Sequence, residues 1–218
     1  MARSDLQLHD GPVTQSGESP ISKAGWSVIT GVITSLLLVI LTPFVAGQVA
    51  ARLQEPSCSN PRGLSPIVPS AAQGDFLSNR TGSYPPANLI DGNTSTVWSE
   101  GKDGAGLGSS ISFAFKGTPD LRLLCIVNGH GKSWDLYQRN SRVRLASISD
   151  SSRSSIDVML ADAGTPDRPA IFQGVSPPFG ETSAITVTIK SAYAAQVSGN
   201  RPSYADTCLS EIEFWAEP

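Results

Sequence analysis

The sequence predicts an all-β domain, built as an antiparallel sandwich or jelly roll, behind one N-terminal transmembrane helix. Three observations support this prediction. Residues 24–51 contain no charged side chain, the segment after them is rich in proline, and the remainder consists of short apolar stretches separated by Gly, Pro, Asn and Asp. About 150 residues remain once the N-terminal features are set aside, which is enough for one well-buried core.

The N-terminal region divides into a polar tail and an apolar span. Residues 1–24 have too little apolar surface to offset the entropy lost on ordering, so we predict a disordered tail. Residues 25–47 can cross about 30 Å of hydrocarbon as a helix, with Trp26 at the interface. A secretory signal usually has a basic start and an apolar run of about 7 to 15 residues. The longer run here favours a permanent anchor, and cleavage at the small residues 45–47 is the alternative.

The cysteines bear on the orientation of this helix, because basic residues are nearly balanced on its two sides. Cys58, Cys125 and Cys208 all follow the helix, and none belongs to a Cys-x-x-Cys pair. A metal ribbon is therefore disfavoured, and the readings left are a disulfide in an oxidising compartment or three reduced, buried thiols. The disulfide reading predicts a single-pass protein of the cell membrane with a cytoplasmic tail and an extracellular C-terminal domain.

A proline-rich segment and a series of strands follow. Residues 48–70 contain four prolines, which interrupt regular hydrogen bonding and predict a semi-extended linker before a domain at 71–218. Alternation of apolar and polar residues predicts half-buried strands at 108–115 and 184–190. A run that is apolar on both faces predicts a central strand at 121–127. Further strands are predicted at 142–148, 156–160 and 211–215.

Residues 88–100 combine a tight turn with a cluster of oxygen donors. Asp91-Gly92-Asn93 has turn chemistry, since Gly reaches positive φ and Asp or Asn bonds the nearby backbone. Three hydroxyl side chains follow at once, at residues 94–96. Carboxylate, amide, hydroxyl and carbonyl oxygens together suit a hard cation such as Ca²⁺, which takes six to eight of them. The alternative is a plain polar turn that caps a strand.

Composition and spacing argue against several functions. A net charge of -3, from 16 basic and 19 acidic residues, gives no basic patch for nucleic acid. The two histidines, His9 and His130, lie far apart in the chain, which leaves little material for a histidine metal site or a Ser/His/Asp triad. The glycine-rich stretch 101–108 neither keeps the Gly-x-Gly-x-x-Gly spacing nor joins a strand to a helix. We therefore predict that the chain is not an enzyme.

Four motifs occur in a fixed order along the C-terminal region. They are Asn88-Leu-Ile-Asp-Gly-Asn with Thr96 and Trp98 after it, Ile-Ser-Phe-Ala-Phe from residue 111, Ile-Val-Asn-Gly-His-Gly-Lys-Ser from residue 126 and Cys-Leu-Ser-Glu-Ile-Glu-Phe from residue 208. Together they resemble the discoidin domain, also called the coagulation factor 5/8 type C domain. The resemblance is closer still to the bacterial subgroup named for the translocation domain of a secreted NAD glycohydrolase.

This resemblance covers about residues 58–218 and implies a galactose-binding-like jelly-roll β-sandwich. Its members mostly bind glycans, phospholipids or proteins without catalysis. It also implies a structural calcium ion, with Trp98 in the core beneath the sheet. Carried over by position, the ligands of that ion are Asp91, Asn93, Thr96 and Glu211.

The resemblance further implies a disulfide that joins the two ends of the domain. Cys58 and Cys208 match that arrangement, which leaves Cys125 as a free buried thiol. Because Cys208 precedes the last strand, a bond between Cys125 and Cys208 stays open.

The candidate ligand surface lies between residues 129 and 144, where aromatic and polar side chains are interleaved. Aromatic rings stack on sugars, and binding residues tend to lie on loops held by a rigid scaffold. The predicted ligand-binding residues are His130, Trp134, Tyr137, Arg139 and Asn140. For Tyr137 and Asn140 the alternative is that they, together with Arg142, lock the loop to the sandwich. For His130 the alternative is a plain loop residue.

The functional prediction is a membrane-anchored exterior module that recognises carbohydrate or another surface ligand. The alternative, from another class, is a protein-interaction or assembly module at the cell surface.

Overall fold

The computed structural model describes residues 55–79 and 82–218. The predicted tail at 1–24, the predicted transmembrane helix at 25–47 and the start of the predicted linker lie outside the described residues. Within the described ranges, no helix has the length and apolar character that crossing a membrane requires. Residues 56–218 form one compact unit.

The unit is mostly β and sandwich-like. Two short helices interrupt the strands, a 3₁₀ helix at Pro86–Leu89 and the α-helix α1 at Trp134–Arg139. The strands are β1 (Ser65–Ile67), β2 (Ala71–Gly74), β3 (Ser78–Asn79), β4 (Gly82–Ser83), β5 (Trp98–Ser99), β6 (Ser110–Ala114), β7 (Asp120–Asn128), β8 (Asn140–Asp150), β9 (Ser155–Met159), β10 (Phe172–Val175), β11 (Gly180–Glu181), β12 (Ala184–Tyr193) and β13 (Tyr204–Ala216).

The strands run in the order β10-β7-β13-β8-β12-β6-β2. Strands β1 and β5 also pair with β13, β9 pairs with β8, and β11 pairs with β7. All of these pairings are antiparallel except one, in which the first residues of β13 run parallel to the start of β8. Phe113 on β6 nevertheless packs against Phe214 on β13, with ring centroids 5.0 Å apart. Because three steps of the strand order separate these two strands, the sheet folds back on itself into two facing layers.

The core confirms the strand faces that the alternating pattern predicts. Ile111 and Phe113 on β6 are fully buried, as are Ile185 and Ile189 on β12. Trp98 is also fully buried, as predicted. Each large apolar side chain in this core contributes roughly 1.5 to 3 kcal/mol through removal from water.

The predicted linker at 48–70 is wrong in its second half. β1 pairs with the end of β13, with Ser65 opposite Ala216 and Ile67 opposite Phe214. Pro66 lies within this strand. Because β1 pairs on one side only, a residue without an N–H is tolerated there, as on other edge strands. The chain from residue 56 onward therefore belongs to the same compact unit as the sandwich.

The predicted disulfide between Cys58 and Cys208 is also wrong. The disulfide joins Cys58 to Cys125, whose Cα atoms are 5.6 Å apart, and Cys208 is a free, buried thiol. Since β1 lies against the end of β13 near Ala216, the chain that enters β1 lies near that end. Cys208 is eight positions earlier, roughly 25 Å away at the rise of a β-strand. Cys125, in β7, lies opposite Glu213 near the same end of β13 and is within reach.

Candidate ligand-binding site

A pocket of about 270 Å³ opens at the end of the sandwich where β7 finishes and β8 and β13 begin. Its apolar wall consists of Leu77, Val97 and Leu136. Aromatic rings and polar groups complete the lining, and they are Tyr84, Tyr204, His130, Asn79, Ser99, Asn140, Asp206 and Cys208. Two of the predicted ligand residues, His130 and Asn140, therefore share this pocket. A ligand in it would meet both apolar faces and hydrogen-bonding groups.

The loop that carries His130 is fixed on both sides by glycines. Gly129 directly follows β7 with φ +83, and a Cβ there would lie 2.6 Å from Arg142 Cγ. A Cβ on Gly131 would overlap the carbonyl oxygen of Thr94, so this position also requires glycine. The Gly131 amide donates to Ser210 Oγ at 2.7 Å, and that hydroxyl donates to the Gly129 carbonyl oxygen at 2.8 Å. His130 is thus held between two anchored backbone positions.

Helix α1 supplies the neighbouring wall of the pocket. Ser133 caps it by accepting the Leu136 N–H at 3.3 Å, and Asp135 and Arg139 complement its two ends. At six residues the helix is shorter than two turns, and the loop predicted from sequence contains it. Asn140, directly after the helix, donates from Nδ2 to the Leu136 carbonyl oxygen at 2.8 Å. Leu136 and Asn140 both line the pocket.

Arg139 lies behind the pocket wall and is only 7% exposed. Its Nε donates to the Pro202 carbonyl oxygen at 2.7 Å, and its Nη2 donates to the Tyr204 hydroxyl at 2.8 Å. The guanidinium also lies 4.8 Å from the centre of the Tyr204 ring. A salt bridge of 3.1 Å to Asp135 occupies a third nitrogen. The geometry makes Arg139 a positioning residue that fixes the Tyr204 ring at the pocket.

Tyr137 and Trp134 do not line the pocket. Their rings stack with centroids 5.4 Å apart, and Tyr137 is 2% exposed whereas Trp134 is partly exposed. The Tyr137 hydroxyl donates to Asp162 Oδ1 at 2.6 Å, and burial together with this carboxylate raises the pKa of Tyr137 to about 12. Asp162 also forms a 2.6 Å ion pair with the buried Arg142. This network matches the locking role for Tyr137, while the ligand role of Trp134 stays a prediction.

His130 is a neutral member of the pocket lining. Its Nδ1 is buried and has no hydrogen-bond partner among the residues that the structure describes. Burial, and to a lesser extent the charge of Lys132, lowers the pKa of His130 to about 4. The imidazole is therefore uncharged near neutral pH, where one nitrogen donates a hydrogen bond and the other accepts one.

Sequence reasoning missed the polar floor of the pocket. Ser99 is buried, and its side chain interacts with the Cys208 thiol. Burial raises the pKa of the Cys208 thiol to about 12, so this group is not a reactive thiolate. Tyr84, Ser99 and Asp206 come from three separate segments, and only the fold brings them together.

The predicted calcium ligands are brought together beside this pocket. The Asp91 carboxylate accepts the Asn93 amide at 2.9 Å through Oδ1, and its Oδ2 lies 2.8 Å from the Thr96 hydroxyl. Glu211 on β13 is 3% exposed, and its Oε2 has no hydrogen-bond partner among described residues. Burial, and then the charge of Asp91, raises the pKa of Glu211 to about 7 although the Asn93 and Gly92 amides oppose this.

This donor set fits a hard cation. A buried carboxylate oxygen without a partner, next to a second carboxylate, is costly unless a positive charge compensates it. The carboxylates of Asp91 and Glu211 converge here, and the charge of Glu213 also acts on Glu211. No described group of three or more His, Cys, Asp or Glu side chains could hold a metal. The remaining oxygens would come from Asn93, Thr96 and carbonyls of the turn.

The described residues thus form a sandwich-like β fold with a loop-lined pocket at one end. A family model described as the NAD glycohydrolase translocation F5/8 type C domain matches residues 69–215. The chain belongs to this family, and the resemblance seen in its motifs is thereby confirmed.

Several solved structures resemble this chain in fold. A putative chitobiase fragment from Bacteroides thetaiotaomicron is 17% identical, with a TM-score of 0.50, and 70% of this chain covers 93% of that one. A fucose-binding module from Streptococcus pneumoniae is 14% identical, with a TM-score of 0.47 and coverages of 72% and 98%. The family 32 carbohydrate-binding module of NanJ from C. perfringens, solved with galactose, is 14% identical, with a TM-score of 0.43 and coverages of 70% and 98%. No curated protein matches the chain.

Proposed function

We propose that this domain is a carbohydrate-binding module without catalytic activity, displayed outside the cell and held to the membrane by the predicted helix at 25–47. The carrying observation is the pocket at the end of the sandwich, whose lining contains a buried nitrogen, His130 Nδ1, without a hydrogen-bond partner among the described residues. Family membership supports a binding module. The disulfide supports an oxidising compartment, because such bonds persist mainly outside the cytosol.

The lining suits a sugar ring. A sugar hydroxyl both donates and accepts hydrogen bonds, and the groups of Ser99, His130 and Asn140 can match either role. Tyr84 and Tyr204 offer aromatic surface to the C–H faces of a ring. At about 270 Å³ the pocket is slightly smaller than those that take drug-sized ligands, so it fits a single sugar unit. The partly exposed Trp134 ring, outside the pocket, remains a candidate surface for a neighbouring unit.

We also propose that Asp91, Asn93, Thr96 and Glu211 hold a structural calcium ion. Bound there, the ion neutralises the facing carboxylates and links the turn to β13. The same turn packs against the loop of His130, because Gly131 contacts the Thr94 carbonyl oxygen. The ion therefore stabilises the fold and the adjacent pocket loop without touching the ligand.

A protein-interaction module remains the second candidate. It is favoured by apolar side chains exposed on loops, namely Phe76 (41%), Leu107 (59%) and Val197 (69%). Such exposed apolar groups are typical of surfaces that bind another protein when they lie close together.

A glycan array probed with the full chain separates the two candidates. The carbohydrate proposal expects binding to a defined set of neutral glycans, strong loss in His130→Ala, and unchanged binding in Met159→Ala, whose side chain is exposed on β9. Trp134→Ala tests whether the Trp134 ring contacts a neighbouring sugar unit. This variant should bind oligosaccharides more weakly and single sugars as strongly as the wild type. The proposal would be contradicted if no glycan on the array binds the wild-type chain. It would also be contradicted if the His130→Ala variant binds the same glycans as strongly as the wild type.

A further inference from the structure

We infer that the pocket prefers sugars carrying a free, protonated amine over neutral sugars and rejects sugars carrying a carboxylate. Its wall includes the carboxylate of Asp206, which has no partner among the described residues. The inference rests on the proposed carbohydrate function and concerns the ligand class of the same pocket. The ligand preference depends on the net charge of the side chains that line the pocket.

Asp206 lies at the start of β13, between the exposed Ala205 and the buried Thr207, and it is partly buried. Its carboxylate makes no hydrogen bond and no ion pair with any residue that the structure describes. Removal from water raises the pKa of this carboxyl. A desolvated carboxylate without a compensating partner is unfavourable, so a cation placed next to it by a ligand would be stabilising.

A second carboxylate lies behind the first. Glu100 is fully buried, and it accepts the Lys102 amide at 2.7 Å and the Thr207 amide at 3.2 Å. Burial raises the pKa of Glu100, and the neighbouring charge of Asp206 adds to this rise although the two amides oppose it. The two carboxylates thus lie near enough to interact, and both add negative potential at this side of the pocket.

Among the residues that the structure describes, no positively charged side chain lines the pocket to balance them. Arg139 is buried behind the wall, where Asp135, Pro202 and Tyr204 occupy its nitrogens. Burial keeps the imidazole of His130 uncharged near neutral pH. Two lysines lie nearby, at 102 and 132, but both side chains are exposed and neither lines the pocket. Solvent and salt screen exposed charges of this kind much more than buried ones.

The chemistry of recognition follows from this balance. An ammonium group beside Asp206 would form a charge-assisted hydrogen bond, which is roughly twice as strong as a neutral one. An N-acetyl group at the same position offers only a neutral amide. A carboxylate would meet a like charge in a partly desolvated site, which disfavours binding. The preferred ligand is therefore a hexosamine with a free amine, at a chain end or within a deacetylated polymer.

Calorimetric titration of the full chain at about pH 7 tests this preference, since amines of this kind are then largely protonated. The probes are galactose, galactosamine, N-acetylgalactosamine and galacturonate, together with the corresponding glucose series. The expected result is that the free amine binds roughly tenfold more tightly than the parent sugar in the series that the pocket accepts. The N-acetyl form should lose this advantage, and the uronate should bind most weakly.

The variant Asp206→Asn removes the charge and keeps the shape. In Asp206→Asn the dissociation constants of the amino sugar and of its parent sugar should become nearly equal, even if both change. The control variant Asp157→Asn, on the exposed surface of β9, should keep the wild-type ratio of these constants. A melting curve shows whether each variant is folded. If neutral sugars bind without any preference for the amine, or if the preference survives in Asp206→Asn, this inference is wrong and the proposed function stands. If neither series binds, this inference is wrong, and the proposed function itself fails only if the glycan array also shows no bound glycan.

Discussion

Arg139 donates a hydrogen bond of 2.8 Å to the Tyr204 hydroxyl and joins helix α1 to the first residue of the last strand. Tyr204 lines the pocket directly, whereas Arg139 does not line it. Although sequence reasoning placed Arg139 among the ligand-binding residues, the structure gives it a role in holding another residue in position. The width of the pocket therefore depends on a side chain that lies outside it.

Replacement of Arg139 by methionine should lower the free energy of unfolding by about 2 kcal/mol, because the Pro202 carbonyl and the Tyr204 hydroxyl lose a charged donor. Arg201→Met is the matched control. Arg201 also contacts Asp135, at 3.0 Å, but its side chain is 67% exposed, so its loss should cost about 0.5 kcal/mol or less. Urea denaturation measures both values. Equal effects of the two substitutions would contradict the positioning role.

The disulfide prediction concerns which thiol is free. A peptide map without reduction should contain Cys58 linked to Cys125, and alkylation should modify Cys208 only after unfolding, since that thiol is buried. Reduction should lower the free energy of unfolding by roughly 4 kcal/mol in the chain-entropy model, given a sequence separation of 67 residues. A linked peptide that contains Cys208 would overturn this assignment.

Because of Glu211, we expect the free energy of unfolding in the absence of calcium to fall as the pH rises. The pKa of Glu211 is about 7 in the folded state and near 4.5 in the unfolded state, so the folded state holds the extra proton between these values. The stability linked to this proton is present below about pH 4.5 and is lost as the pH rises through about 7, with a full amplitude on the order of 3 kcal/mol. Glu211→Gln should remove this part of the pH dependence, measured by urea denaturation in chelator. A profile unchanged by the substitution would contradict the assignment.

Calcium should restore the stability that the ionisation of Glu211 removes at neutral pH. The ion stabilises the ionised form of Glu211 and binds only the folded state, so the melting temperature should rise with calcium concentration. Magnesium serves as the comparison, because its smaller shell demands stricter octahedral geometry. Glu211→Gln should greatly weaken the calcium response. A melting curve that is identical in chelator and in millimolar calcium would argue against the metal site.

The strands could be predicted because their signal is local. The alternation around Ile111 and Phe113 places one face in the core wherever the strand lies in the sheet. The prediction of a linker at 48–70 was wrong in its second half because Pro66 was interpreted as interrupting regular structure, whereas an edge strand tolerates proline. Helix α1 was missed because six residues are too few to show a helical period.

The parts that failed depend on long-range packing. Which cysteine pairs with Cys58 depends on which strand lies beside β1, and that neighbour is not encoded near either cysteine. The pocket also depends on long-range packing, since Tyr84 and Asp206 are more than one hundred residues apart and meet only after folding. The cluster of Asp91 and Glu211 was found because the family resemblance carries tertiary information that periodicity lacks.

The most direct test of a sugar-binding pocket uses the ring of His130 as a reporter. The chain has only two histidines, so histidine-selective isotope labelling gives two sets of NMR signals, with His9 as the internal reference. During a titration with a glycan identified on the array, the His130 signals should shift to saturation while those of His9 stay in place. His130 should also remain neutral from about pH 8 down to about pH 5, in line with its pKa of about 4. A glycan that binds the chain and leaves His130 unshifted would show that the binding site lies elsewhere.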